Sequence, residues 1–230
     1  MIPRAIIFDK DGTLFDFQAT WGVWAGRVLH DLAKGDAGLI QRLAAAIDYD
    51  LDQQKILPHS IVVAGTPLEI AQVLAPILGQ DPGLVLTTLN THATDAPQVM
   101  TRGLPLALAR MTAAGIRLGI MTNDAEHPAR AHIESAGLTS WFDVIIGSDS
   151  GHGAKPAADP LLAIAACWGL QGHQIAMVGD SLHDLHAGRA ADMQTIAVLT
   201  GLATRKDLAG HADCVLDSVS DIPDWLGLPD

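Results

Sequence analysis

The chain has 230 residues, a formal net charge of −12 and 49% hydrophobic residues, with only 4% aromatic. That length carries one large domain, or a core with a smaller companion, and buries a substantial apolar core. The acidic balance argues against nucleic acid and anionic membrane surfaces as partners, and no apolar run approaches the roughly 20 residues of a membrane span.

The first predicted element is a strand. Ala5, Ile6, Ile7 and Phe8 form a short, wholly apolar run, which suits a strand buried on both faces of a parallel sheet. The run ends at Asp9, Asp11 follows two residues later, and Gly12 and Thr13 turn the chain away. The start, MIPRAIIFD, carries no signal-peptide cleavage region, so a cytoplasmic protein is expected. The pattern then turns helical. Residues 19–34 place Trp21, Trp24, Val28, Leu29 and Leu32 on one stripe, and residues 39–47 repeat the spacing. A third helix is expected over Pro67–Leu78, with Thr66 as N-cap and Pro67 at the first helical position, and a fourth over residues 82–90. No convincing strand is found between Phe15 and Asp95, although residues 61–64 read either way.

Alternation of strand and helix resumes after Gly103. Helices are expected over residues 104–114, 125–136, 158–168 and 182–191, the first three closed by Gly115, Gly137 and Gly169. Strands are expected over residues 116–121, 142–146, 174–178, 195–199 and 213–216. Repeated β-α units imply an α/β fold, a doubly wound parallel sheet with right-handed crossovers, interrupted after its first strand by an α-helical insertion. Cys167 and Cys214 fall in apolar stretches without disulfide or metal-ligand spacing, which predicts buried free thiols.

Polar residues recur at the strand ends. Two acids at the carboxyl end of a buried strand sit where open α/β sheets place their chemistry, and a hard divalent cation is the simplest offset to their charge. An acidic surface turn of the form D-x-D-G is the alternative for Asp9 and Asp11. Thr122 ends the second core strand, where a hydroxyl and the next backbone N–H groups suit phosphate oxygens, or simply cap a helix. Lys155 precedes Pro156 in a polar loop, where solvation is the plain alternative to a role in a site. Asp180 ends the run IAMVG and repeats the setting of Asp9, with Asp184 four residues on, either turned to the strand end or serving the helix dipole.

Together DKDGT at 9–13, TN at 122–123, KP at 155–156 and GDSLHD at 179–184 resemble the four signatures, in order, of the haloacid dehalogenase superfamily. The layout is most similar to the phosphoglycolate phosphatase-like branch, with DGTL followed by Asp16. Phe17 stands where that branch has a small residue, and Asp124 where it often has a basic or small one. The resemblance implies a core of residues 1–16 and 96–230 and a helical cap of residues 17–95. It implies Asp9 as nucleophile, Asp11 as general acid and base, and Lys155, Thr122 and Asn123 as phosphoryl contacts. Mg²⁺ would be held by Asp9, Asp180 and the backbone carbonyl of Asp11, with Asp184 orienting Lys155 or a metal-bound water. The expected activity is hydrolysis of a small phosphorylated metabolite by a monomer or homodimer. A sugar phosphomutase would carry a histidine in its flap, and residues 15–29 contain none; a haloacid dehalogenase normally lacks the acid at Asp11; a binding module would be expected to lose the nucleophile or acid. Candidate leaving-group contacts in the insertion are Phe17, Trp21, Arg27, Arg42 and His59.

Overall fold

The computed structural model describes residues 2–229. Six parallel strands form one sheet in the order β5-β4-β1-β6-β7-β8. Here β1 is Ala5–Phe8, β4 Arg117–Met121, β5 Val144–Ile146, β6 Ile175–Gly179, β7 Gln194–Val198 and β8 Cys214–Leu216. Each lies within a residue or two of its predicted range. The strand β1 sits between β4 and β6, in register Ile7↔Gly119 and Ile7↔Met177, and its four residues are completely buried.

The apolar run of β1 has no polar alternation because both faces are covered. Ile6 and Phe8 point to one core, with Leu104, Leu108 and Met111 of α5 (Leu104–Ala113) and Ala129 and Ile133 of α6 (Glu126–Ser135). Ala5 and Ile7 point to the other, with Leu161 and Ile164 of α7 (Asp159–Trp168) and Ala187 of α8 (Leu182–Ala190). Each buried Ile or Phe contributes roughly 1.5–3 kcal/mol of transfer free energy. Strand order reverses direction at β1, and the carboxyl ends around such a point form the crevice where ligands bind.

Between β1 and β4 lie four helices: α1 (Val23–Leu32), α2 (Ala37–Ala46), α3 (Pro67–Leu78) and α4 (Pro82–Thr94). They pack Trp24, Leu29, Leu43, Leu74 and Leu89 into an apolar cluster separate from the two that cover the sheet. The start of α3 follows the sequence signal: Thr66 Oγ1 accepts from Glu69 N–H, and the Glu69 carboxylate accepts from Thr66 N–H. Gly79, in the left-handed region at φ 63°, ends it. Asp36 and Asp81 cap α2 and α4 by a single side-chain oxygen, which accepts from Leu39 N–H and Gly83 N–H respectively.

Two readings need correction. The insertion contains a hairpin, β2 (Tyr49–Asp50) with β3 (Lys55–Ile56), where no strand was expected. Strands of two residues carry no measurable alternation. Cys167 is exposed and Cys214 half-buried, not buried: Cys167 falls on the outer face of α7, whose inner face is filled by Leu161, Ile164 and Trp168. No helix among the described residues is long and apolar enough to cross a membrane.

Candidate active site

The carboxyl ends of β1, β4 and β6 bring Asp9, Thr122 and Asp180 together, and the loop before α7 lays Lys155 across them. Lys155 is buried. Its Nζ donates to Asp9 Oδ1 at 2.5 Å, Asp184 Oδ1 at 2.7 Å and the Met121 carbonyl at 2.9 Å. Burial alone would pull this ammonium down, but Asp184 and Asp9 hold it above its ordinary value. The solvated-lysine alternative therefore does not describe it.

Asp184 serves both of its sequence readings. Oδ2 accepts from Ser181 N–H and Oγ, completing a capping box at the start of α8, while Oδ1 meets Lys155. Asp9, Asp180 and Asp184 each present an oxygen, and these oxygens lie within 4.8 Å of one another. Burial, aided by Asp184 and Asp11 and opposed by Lys155, pushes the Asp9 carboxyl up to about 7. Burial and the charges of Asp9 and Asp184 push Asp180 well up as well. One lysine does not neutralise three crowded carboxylates, and the all-oxygen donor set fits a hard divalent cation.

The backbone is shaped around Asp180. Thr13 Oγ1 donates to Asp180 Oδ1 at 3.3 Å. Gly12, at φ 87°, and Gly201 both press on the Asp180 carboxylate, and a Cβ at either would overlap it. Thr200 Oγ1 donates to the Gly12 carbonyl at 2.6 Å, tying the two glycine loops.

Asp11 is set apart from this cluster. Its carboxylate lies on Lys10, at 2.7 Å from Nζ. The sequence reading assigned a metal contact only to the Asp11 carbonyl, which this leaves open. Lys10 is completely buried, and sequence reasoning passed over it. It also faces Asp124 Oδ2 at 3.4 Å, an ion pair without a hydrogen bond, and His132 Nδ1 at 2.9 Å. An ammonium only donates, so Nδ1 accepts and Nε2–H donates to the Ala93 carbonyl of α4 at 2.6 Å. Burial, then Lys10, lowers His132 to about 4, which keeps it neutral. Burial pushes Asp124 up to about 6, with Lys10 pulling against it. The signal available in the sequence was a lysine interrupting two acids, together with the acidic residue at 124.

Thr122 is buried, and its Oγ1 accepts from Asp124 N–H at 3.1 Å in the loop before α6, whose N-cap is Ala125, so Thr122 does not cap that helix. The Asn123 side chain is a clasp: Nδ2 donates to the Ala64 carbonyl at 2.7 Å and the Lys155 carbonyl at 2.9 Å, and Oδ1 accepts from Lys155 N–H at 2.9 Å.

All these strand-end residues face one cavity of about 60 Å³, whose opposite wall comes from the insertion. Of the leaving-group contacts expected from sequence, Phe17 and Trp21 line it. Arg27, Arg42 and His59 are exposed and do not, His59 pairing instead with Asp48 at 3.2 Å. Helix α1 turns its apolar stripe inward, which puts Arg27 outside.

Residues 3–192 match the family of haloacid dehalogenase-like hydrolases. The phosphoglycolate phosphatase of Rhodospirillum rubrum is 30% identical over 99% of this chain and 92% of its own length. A predicted phosphoglycolate phosphatase from Haemophilus somnus has the same fold, with a TM-score of 0.72 at 17% identity, covering 98% of both chains. CbbY of Rhodobacter sphaeroides, solved with phosphate, superposes with a TM-score of 0.64 at 21% identity over 96% of both chains.

Proposed function

The chain belongs to the haloacid dehalogenase-like hydrolases, and from that premise we propose that it is a Mg²⁺-dependent phosphatase hydrolysing a small phosphate monoester through a phosphorylated Asp9. Its phosphoglycolate phosphatase relatives support the reaction type. In this reading residues 17–95 are the cap, and residues 1–16 and 96–230 the core.

One observation carries the proposal. Two carboxylates two residues apart are held in different electrostatic settings: Asp9 under Lys155 in the acidic cluster, Asp11 drawn aside by Lys10. Lys155 and a bound cation would keep Asp9 ionised for attack, and Asp11, outside that cluster but lining the same cavity, is the carboxyl placed to carry the proton. Asp9 attacks phosphorus, the ester P–O bond breaks, and Asp11 gives its proton to the departing alkoxide. Water then attacks the same phosphorus, Asp11 takes a proton from it, and the bond to Asp9 breaks to release phosphate. Lys155, the Thr122 hydroxyl and the backbone N–H of Asn123 meet the phosphoryl oxygens, where charge spreads in the transition state. Asp9, Asp180, the Asp11 carbonyl and, directly or through water, Asp184 would hold the Mg²⁺, which when bound neutralises the crowded carboxylates and the phosphoryl group.

The test is rapid-quench sampling during turnover. A phosphoenzyme should form in the native protein, vanish in Asp9→Asn, and decay to phosphate at or above the turnover rate without any sugar phosphate present. An intermediate that persists until a hexose phosphate accepts the phosphoryl group would make the protein a mutase.

A further inference from the structure

The wall that the insertion gives the cavity is mostly apolar, built from Phe17, Trp21, Trp24, Val62, Ile70 and Leu89. Asn90, on α4, is the one amide in that wall. Its Oδ1 is buried without a hydrogen-bond partner. Its Nδ2 also makes no hydrogen bond but is not sealed in, so the NH₂ is the end of the amide open to a ligand. His183, in the first turn of α8 on the core side, lines the same cavity and likewise makes no hydrogen bond. The carboxylates, hydroxyls, Asn123 and Lys155 around the cavity are each engaged with protein neighbours. Among the described residues, and setting the tryptophan indoles aside, Asn90 and His183 are the cavity's uncommitted polar side chains.

A native fold leaves few buried polar atoms unpaired, and each one calls for a reason. Here the open groups both donate. An amide NH₂ only donates, and an imidazole carries at least one N–H in either protonation state. The ligand group that suits two donors accepts through two oxygens and donates through neither. A carboxylate does so, and its charge strengthens each bond.

We infer that Asn90 and His183 determine specificity for the leaving group, donating to a carboxylate at the end of the ester away from phosphorus. The inference rests on the phosphatase reading and names its substrate class. The apolar wall between covers the short carbon chain by burial.

The test compares kcat/KM for phosphoglycolate, ethyl phosphate and 2-hydroxyethyl phosphate, with Mg²⁺, in the native protein, Asn90→Leu and His183→Leu. The native protein should favour phosphoglycolate over both other esters by about tenfold or more, the scale of a hydrogen bond to a charged group. Each variant should lose at least about tenfold more on phosphoglycolate than on ethyl phosphate. Asn90→Leu should do so without a fall in Tm, since it removes a buried acceptor that has no partner. Ethyl phosphate hydrolysed as well as phosphoglycolate by the native protein overturns the proposal, and so does a preference for 2-hydroxyethyl phosphate, which would make the far end a hydroxyl; either leaves the phosphatase reading standing. A loss shared equally by phosphoglycolate and ethyl phosphate in a folded variant overturns the assignment of that residue. No turnover of any ester and no phosphoenzyme overturns the phosphatase reading together with the proposal.

Discussion

Lys10 offers a prediction whose size can be worked from its surroundings. Replacing it with the similarly shaped Met removes the counter-charge of Asp124 and Asp11, whose side chains are only 3% and 11% exposed. Breaking a buried pair on one side costs roughly 3–5 kcal/mol, because a charge is left without compensation. For a chain of this size each kcal/mol moves Tm by roughly 2–4 °C, so Lys10→Met should melt about 6–20 °C below the native protein. The deficit should depend on pH. Asp124 already sits at about 6 with Lys10 present, against an ordinary 3.8, and loss of Lys10 raises it further. A carboxyl raised on folding takes up its proton as pH falls, so the penalty is full above its folded pKa and vanishes toward 3.8. The gap in Tm should therefore narrow from pH 8 to pH 5. Adding Asp124→Leu should recover most of the loss, since the pair is then replaced rather than broken. Calorimetric scans across pH measure all three. A Lys10→Met shift under about 2 °C at pH 8 would refute the view that this ammonium neutralises the carboxylates beneath the site.

Chelation should abolish phosphate release and Mg²⁺ restore it, with Ca²⁺ a poor substitute because its larger, looser shell misplaces Asp9; full activity in excess chelator would contradict this. Gly201→Ala drives a methyl group into Asp180 and should raise the Mg²⁺ needed for half-maximal activity about tenfold or more, whereas Gly210→Ala, in open space, should leave it unchanged. Asp213 accepts from Thr195 N–H and Oγ1, which holds its carboxyl below the ordinary range. A depressed acid stabilises above its unfolded pKa and loses that contribution as pH falls through its folded value, so Asp213→Asn should lower Tm at pH 7 and by less below pH 3.8.

Local signals carried most of the fold. The apolar runs before Asp9 and Asp180 are continuous because both faces of the sheet are covered, so strands and their acidic ends could be read together. Capping residues such as Thr66 and Gly169 marked helix ends directly. The hairpin at Tyr49–Asp50 was hidden because its strands are two residues long and its turns use Asp48 and Gln54, not glycine, at positive φ. The Lys10 network was hidden for another reason. Its partners Asp124 and His132 lie more than a hundred positions away, and only the pairing of β4 with β1 and the placing of α6 beside them bring the two to Lys10. The cavity's apolar wall was partly legible as Phe17 and Trp21, but the sequence alone did not show which way Arg27 and Arg42 faced.

The Asn123 clasp has a thermodynamic consequence. A single amide holds the Ala64 carbonyl of the insertion and both backbone groups of Lys155. Seating the helices over the cavity and ordering the Lys155 loop thus draw on the same hydrogen bonds. Linkage makes such coupling reciprocal. A phosphoryl group that fixes Lys155 must tighten the seating of the helices by the same factor by which seated helices tighten the grip on the phosphoryl group. A ligand bound only through its alcohol portion would, in turn, reach the lysine through Asn123 without touching it.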